Sequence, residues 1–228
     1  MNTIDDKAIV KDYFNAIGFD RWRRIYGDGE VSKVQKDIRC GHQQTIDTVI
    51  DWLKAEENIS GLSICDAGCG VGSLSIPLAQ IGARVLASDI SKKMVEEATR
   101  RAHKYLTDTS SVIFAVQDLE RLSGQYQTVI CLDVLIHYPT EDAAKMIAHL
   151  ASLATSRLII SFAPKNLRLT VLKKIGEFFP GPSKTTRAYQ HKEKDIIAIL
   201  ENNGLRVKRK AMTSTHFYYS LILEATLS

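Results

Sequence analysis

After residue 60 the chain alternates strand-length apolar runs with helical patterns, and this alternation constrains the fold more than any other feature. Residues 62–65, 84–88, 112–116, 128–132 and 158–162 are nearly unbroken apolar runs. Runs of that kind suit strands covered on both faces, as in a parallel sheet. Between them, Ser91 can cap a helix running to about residue 105, and Thr140 can cap another through residue 153. The spacing predicts a doubly wound α/β sheet. A helix near 193–202 is expected to stop at Asn203-Gly204, followed by strands at 205–208 and 217–225 that close an antiparallel hairpin. A chain of 228 residues fits one such domain with a single large core.

Two regions break the rhythm. Residues 1–45 carry no strand signal and predict short helices, followed by the amphipathic stripe Ile46, Val49, Ile50, Leu53. Residues 164–194 carry eight Lys/Arg against two Glu. No apolar run is long enough to predict a transmembrane helix, and the first residues lack the pattern of a signal peptide. Cys40, Cys65, Cys69 and Cys131 show no CxxC spacing, so a reducing, cytoplasmic setting and no protein-bound metal are expected. A net charge of +4 permits an anionic ligand without implying nucleic acid, for which no recognition motif is visible.

The stretch DAGCGVG follows the first strand and opens a helix, the context in which a glycine-rich turn carries meaning. Gly68 and Gly70 allow backbone angles and a ligand approach that a Cβ would block, and Gly72 lets the next helix pack tightly. Asp66, just before the loop, is expected to aim its carboxylate at the ligand, repelling a pyrophosphate and attracting a cation or hydroxyl. Asp89 ends the second strand, where it can accept both ribose hydroxyls or merely cap the following helix. Asp118 can accept from an adenine amine or hold the turn before Leu119. Asp133, ending the fourth strand, touches the ligand or ties down loop backbone. Together these acids suggest adenosine bearing positive charge, and S-adenosylmethionine fits. A nicotinamide-dependent oxidoreductase is disfavoured by Asp66 and by Ser73 at the usual third-glycine position.

The pattern resembles the class I S-adenosylmethionine-dependent methyltransferases. Asp66-x-Gly68-x-Gly70-x-Gly72 is similar to their first motif, Asp89 to their ribose-binding acid, and Asp118 to their adenine-side acid. LDVLIHY at 132–138 resembles the stretch after their fourth strand. The resemblance implies a Rossmann-like class I methyltransferase sheet, mostly parallel with a C-terminal antiparallel hairpin, plus a helical N-terminal cap and an inserted lid. It adds Cys69, Ile90, Met94, Leu119 and Leu132 to the cofactor-binding set, with S-adenosylhomocysteine as product. More specifically, GFDRWRRIYG and VQKDIRCGHQQT, with DAGCGVGSLSIPLA and ASDIS, are similar to the magnesium-protoporphyrin IX O-methyltransferase family of chlorophyll and bacteriochlorophyll synthesis. The likeness runs from about residue 13 to the end, with Val71 departing where threonine is common.

That family esterifies one propionate of a magnesium porphyrin, the magnesium arriving with the substrate. The resemblance implies a cap or arm over 1–45, an S-adenosylmethionine-binding core over 46–163, a basic lid over 164–194, and completion of the sheet over 195–228. It implies catalytic roles for Tyr26 and His137, the latter bonding the propionate or approaching the magnesium, where the residue pattern alone also allows a structural histidine. Phe19, Arg21, Trp22, Arg23, Arg24 and Tyr26 alternate so as to cover a flat ring system, or to dock an ordinary amphipathic helix. Arg24, Arg39, Lys165 and Arg168 are expected to meet the porphyrin carboxylates, with His42 and Tyr138 as further substrate contacts. The implied partner is the porphyrin-binding subunit of magnesium chelatase. Val171, Leu172, Ile175, Phe178 and Phe179 could touch a photosynthetic membrane peripherally or line the porphyrin slot. A different acceptor, such as a quinone precursor, is the alternative.

Overall fold

The computed structural model describes residues 6–56, 58–165 and 188–227. Seven strands, β1 (Ser63–Ala67), β2 (Arg84–Asp89), β3 (Val112–Val116), β4 (Tyr126–Cys131), β5 (Ala154–Phe162), β6 (Leu205–Ser214) and β7 (Tyr219–Leu227), form one sheet in the order β3-β2-β1-β4-β5-β7-β6. The first five are parallel, and β7 runs antiparallel between β5 and β6. This is the expected mostly parallel sheet with its closing hairpin.

Alternation along each strand divides the core between two faces. Ile64, Ile130, Ile159 and Ile222 meet the stripe Ile46, Val49 and Leu53 of α3 (Lys33–Lys54) and Leu78 of α4 (Ser75–Gln80). Their neighbours Cys65, Cys131, Ile160 and Leu223 point the other way, onto Ile147 and Leu150 of α6 (Thr140–Leu153) and Leu200 of α7 (Glu193–Asn202). Burying each Ile or Leu contributes about 1.5–3 kcal/mol. α5 (Lys92–Tyr105) is capped by Ser91, whose hydroxyl accepts from Met94 N at 3.3 Å.

Three features differ from the sequence expectation. α3 begins at a capping box between Ser32 and Gln35 and runs unbroken to Lys54, so the border placed between residues 45 and 46 falls inside an element. Thr140 does not cap α6; Pro139 holds that position, and the Thr140 hydroxyl bonds His191 Nδ1 at 3.1 Å. β5 begins at Ala154, four residues early, because its first turn of sequence, ATSR, is polar and unreadable as a buried strand.

Two short helices, α1 (Asp6–Asn15) and α2 (Ile17–Ile25), precede α3. Arg168 and the apolar set from Val171 to Phe179 lie outside the described residues. The flanks of that segment are joined by a bridge between Pro164 and His191, with Lys165 N donating to His191 O at 2.7 Å. Among the described residues no helix is long and apolar enough to cross a membrane.

Candidate active site

The strands β1, β2 and β4 all end at one edge of the sheet, where loops of open α/β folds hold ligands. A cavity of about 270 Å³ opens there. The glycine loop forms one wall through Gly68, Cys69 and Gly70. Gly68 has φ +86°, and a Cβ there would overlap Val134, so this glycine lets the turn after β4 close onto the loop. Nothing lies within 4 Å of the side-chain direction of Gly70, and this is the face open to a ligand.

Asp89 lines the cavity and also holds the loop: Oδ2 accepts from Gly70 N at 3.0 Å and Oδ1 from Ser91 N at 2.8 Å. Burial raises its pKa to about 6 despite those two donors. Asp118 lines the opposite wall, caps the turn at Leu119 by accepting from Glu120 N at 3.1 Å, and pairs with Lys7 at 3.0 Å. Ile90, Met94, Leu119 and Leu132 complete an apolar slot between these two acids.

Asp66 departs from the expectation. Cys65 and Ala67 face α6, so strand alternation turns Asp66 to the opposite face, where it accepts from the Ser75 hydroxyl at the start of α4. It is fully buried beneath the loop rather than aimed into the cavity, and burial lifts its pKa to about 6. Gly72 likewise faces Ile76 and Ala98, serving helix packing as expected.

The far end of the cavity is roofed by rings in series. His137 lies edge-on to Phe14 at 5.3 Å, Phe14 is 6.4 Å from Trp22, Trp22 is 5.3 Å from Tyr26, and Tyr26 lies 4.1 Å from His42. His42 Nδ1 donates to Asp133 Oδ2 at 2.8 Å, since a carboxylate only accepts. Asp133 has φ +58° and also accepts from Tyr218 at 2.8 Å and Ser161 at 3.1 Å. Burial alone would raise its pKa, but His42, Tyr218 and Ser161 outweigh that and hold it below the usual carboxylate range. Burial, and then the Asp133 charge, push the Tyr26 hydroxyl well above its usual value, so it remains a neutral donor.

Burial lowers His137 to about 4, and its buried Nδ1 has no partner among the described residues. Trp22 Nε1 is a second buried polar atom of this roof without one. The turn carrying His137 is fixed by His191, fully buried, whose Nε2 bonds Leu135 O at 2.9 Å.

Of the residues expected from sequence, Tyr26, His42, Asp89, Asp118, Asp133, His137 and Tyr138 therefore converge on one cavity. Three expected cations do not. Arg24 lines a separate cleft on the outer side of α2, because its side chain lies on the exposed helix face. Arg39 spends its guanidinium on the backbone carbonyls of Arg24, Ile25 and Gly29. Lys165 is exposed outside the cavity. Sequence reasoning missed Phe14 and the hairpin tip Phe217 to Tyr219, which line the cavity, and His191, which fixes the turn behind it. The tip had a signal: an antiparallel return beside β5, with Leu221 opposite Phe162, must bring its turn back to the ligand edge.

Comparison with known proteins identifies relatives of the whole chain. The family model "Magnesium-protoporphyrin IX methyltransferase C-terminus" matches residues 131–227, and a general "Methyltransferase domain" matches 64–156. The chain is 68% identical to the magnesium-protoporphyrin O-methyltransferase of Synechocystis over 99% of its length and 98% of that protein. It is 53% identical to the chloroplastic magnesium protoporphyrin IX methyltransferase of Arabidopsis thaliana, over 96% of this chain and 71% of that protein. The crystal structure of a Synechocystis magnesium protoporphyrin IX methyltransferase with bound S-adenosylhomocysteine superposes with a TM-score of 0.92 at 66% identity, covering 97% of this chain and 100% of that one.

Proposed function

The chain belongs to the magnesium-protoporphyrin IX methyltransferase family, and from that membership we propose how its site works. It is an S-adenosylmethionine-dependent O-methyltransferase that converts one propionate of magnesium-protoporphyrin IX to the monomethyl ester in chlorophyll biosynthesis. When bound, the cofactor supplies an electrophilic methyl on sulfur, so that a C–O bond forms as the C–S bond breaks, leaving S-adenosylhomocysteine.

The residues fit that cofactor. Asp89 and Asp118 flank an apolar slot, suited to ribose hydroxyls at one end and an adenine amine at the other. The wall between them is bare backbone at Gly70, and among the described residues no Lys or Arg lines the cavity. Asp133, held ionised at the end of β4, faces the middle of the cavity, where a cationic sulfur or ammonium group is favoured.

A propionate resembles Glu, with an ordinary pKa of about 4.3, and is ionised at neutral pH. No side chain has to remove a proton. The site's work is orientation and exclusion of water, which can supply about 7–11 kcal/mol. The ring series from His137 to His42, its members tilted against one another, supplies an aromatic roof for a macrocycle. His137, neutral and with a vacant nitrogen, bonds the propionate or approaches the magnesium. Tyr26 donates its hydroxyl to the reacting centre. We also propose that substrate is handed over by the porphyrin-binding subunit of magnesium chelatase in a cytoplasmic or peripheral-membrane setting, a reading supported by the family resemblance alone.

The observation that carries this reading is the pairing of a carboxylate-lined nucleoside slot with an aromatic roof in one cavity. Incubating the protein with labelled S-adenosylmethionine and magnesium-protoporphyrin IX should yield one ester group per porphyrin. Absence of heat on titrating S-adenosylhomocysteine into folded protein would overturn the assignment.

A further inference from the structure

The C-terminus of α2 is held in an unusual way. Its last carbonyls have no glycine cap in the left-handed region; the cap residue Tyr26 has φ −91°. Two arginines from two core helices take them instead. Arg39 of α3 donates Nε to Ile25 O at 2.7 Å and Nη2 to Arg24 O at 2.7 Å. Arg101 of α5 donates Nη1 to Tyr26 O at 2.5 Å and Nη2 to Arg23 O at 3.1 Å. Four consecutive carbonyls are thus satisfied by two planar forks, at the helix end that attracts cations.

The third nitrogen of the Arg101 guanidinium, Nε, donates to Glu97 Oε1 at 2.8 Å. Glu97 is only 6% exposed, an uncommon place for a carboxylate on an outer helix. Arg100 also pairs with Glu97, at 2.9 and 2.8 Å, yet is itself exposed, and among the described residues its hydrogen bonds do not reach α2. Apolar anchorage of α2 is slight: among its described side chains only Ile25 is fully buried. The polar grip therefore sets where α2 lies. Arg39 and His42 stand three residues apart on one face of α3, so the helix that grips the backbone beside Tyr26 also stacks its ring.

We propose that Arg101, aligned by Glu97 and assisted by Arg39, is a positioning residue for methyl transfer: it clamps the end of α2 so that Tyr26 and Trp22 stand over the reacting centre. The inference rests on the reading that these two rings cover the acceptor. A lysine at position 101 keeps the charge and loses the fork, so the conservative change does not preserve the clamp.

The test is steady-state kinetics on R101Q, R101K, E97Q and R100Q, with melting temperature and S-adenosylhomocysteine calorimetry on each. Displacing a positioning contact by a fraction of an ångström should lower kcat about tenfold in R101Q and R101K. E97Q should follow in the same direction, and R100Q should match wild type. The KM for S-adenosylmethionine and the heat of product binding should stay within about twofold of wild type, because the slot between Asp89 and Asp118 is untouched. In a further variant, R101G, added guanidinium should restore part of the turnover at a concentration that leaves wild-type turnover unchanged. Wild-type turnover in R101Q, or an R100Q defect equal to that of E97Q, overturns the clamp. If R101Q does not fold, E97Q against R100Q still decides. A wild-type protein that esterifies no porphyrin would refute the function instead, so the two failures are distinguishable.

Discussion

Asp133 and His137 sit four residues apart on one turn and meet opposite electrostatic conditions. Asp133 gathers donors from α3, β5 and the hairpin and stays ionised. His137 gathers none at Nδ1, and burial takes its pKa to about 4, so it is neutral throughout the physiological range. On the function proposed above, its contribution is one neutral hydrogen bond or a metal contact. With the acceptor already ionised, H137A should lower turnover about tenfold, the worth of about 1.4 kcal/mol. Total loss with product binding intact would assign His137 a larger part, such as holding the magnesium. The turnover–pH profile should show no step near pH 6.5 that disappears in H137A. Asp89 behaves differently, because burial lifts it to about 6 in the free protein. Hydroxyl donors favour the ionised form, so product binding should release a proton near pH 6 and weaken below it. Calorimetry in two buffers of different ionisation enthalpy measures that proton directly, and equal heats at pH 6 would contradict it.

Among the elements, the hairpin tip does most that the sequence concealed. Asp37 of α3 accepts from Thr215 Oγ1 at 2.6 Å and Phe217 N at 2.8 Å, pinning the β6–β7 turn. Phe217 is 59% exposed yet lines the cavity, its backbone fixed by Asp37. Gly41 lets Tyr218 pass α3 toward Asp133, since a Cβ there would overlap the Tyr218 ring. F217A and D37A should each weaken porphyrin binding several-fold, read by quenching of porphyrin fluorescence, and leave product binding unchanged. Equal porphyrin affinity in both variants would remove the tip from the acceptor site. The parallel strands were legible because buried runs announce themselves, and Ser91 because its cap chemistry is local. Asp89 and Asp118 were legible as acids near strand ends that line the cavity, although the direction of Asp66 was not, since it depends on which face α4 covers. Arg24 and Arg39 misled for a related reason: composition registers a cation but not the carbonyl that occupies it. His191 carried no pattern at all; its value lies in being folded back against Leu135.

For the molecule as a whole, buried acids make stability and ligand binding interdependent. Asp66 and Asp89 have folded pKa values of about 6, above the ordinary 3.8. A raised carboxyl stabilises below its unfolded pKa, and that share is lost as pH climbs through 6. Glu97, held at about 2 by Arg100 and Arg101, works in the opposite sense, its share present above 4.5 and lost as pH falls toward 2. The melting temperature of the free protein should therefore decline between pH 5 and 7, and D66N should flatten the decline, a comparison that scanning calorimetry resolves. An identical slope in D66N would exclude Asp66 as a source. The roof draws Phe14, Trp22 and Tyr26 from α1, α2 and the α2 C-cap and Tyr218 from the β6–β7 turn, with Asp133 between them in sequence. A ribosome delivers these parts in order, first to last. Nascent polypeptide halted before residue 215 lacks β7, which lies between β5 and β6, as well as Phe217 and the Tyr218 hydroxyl on Asp133, so the aromatic end of the cavity is assembled only once β7 has docked.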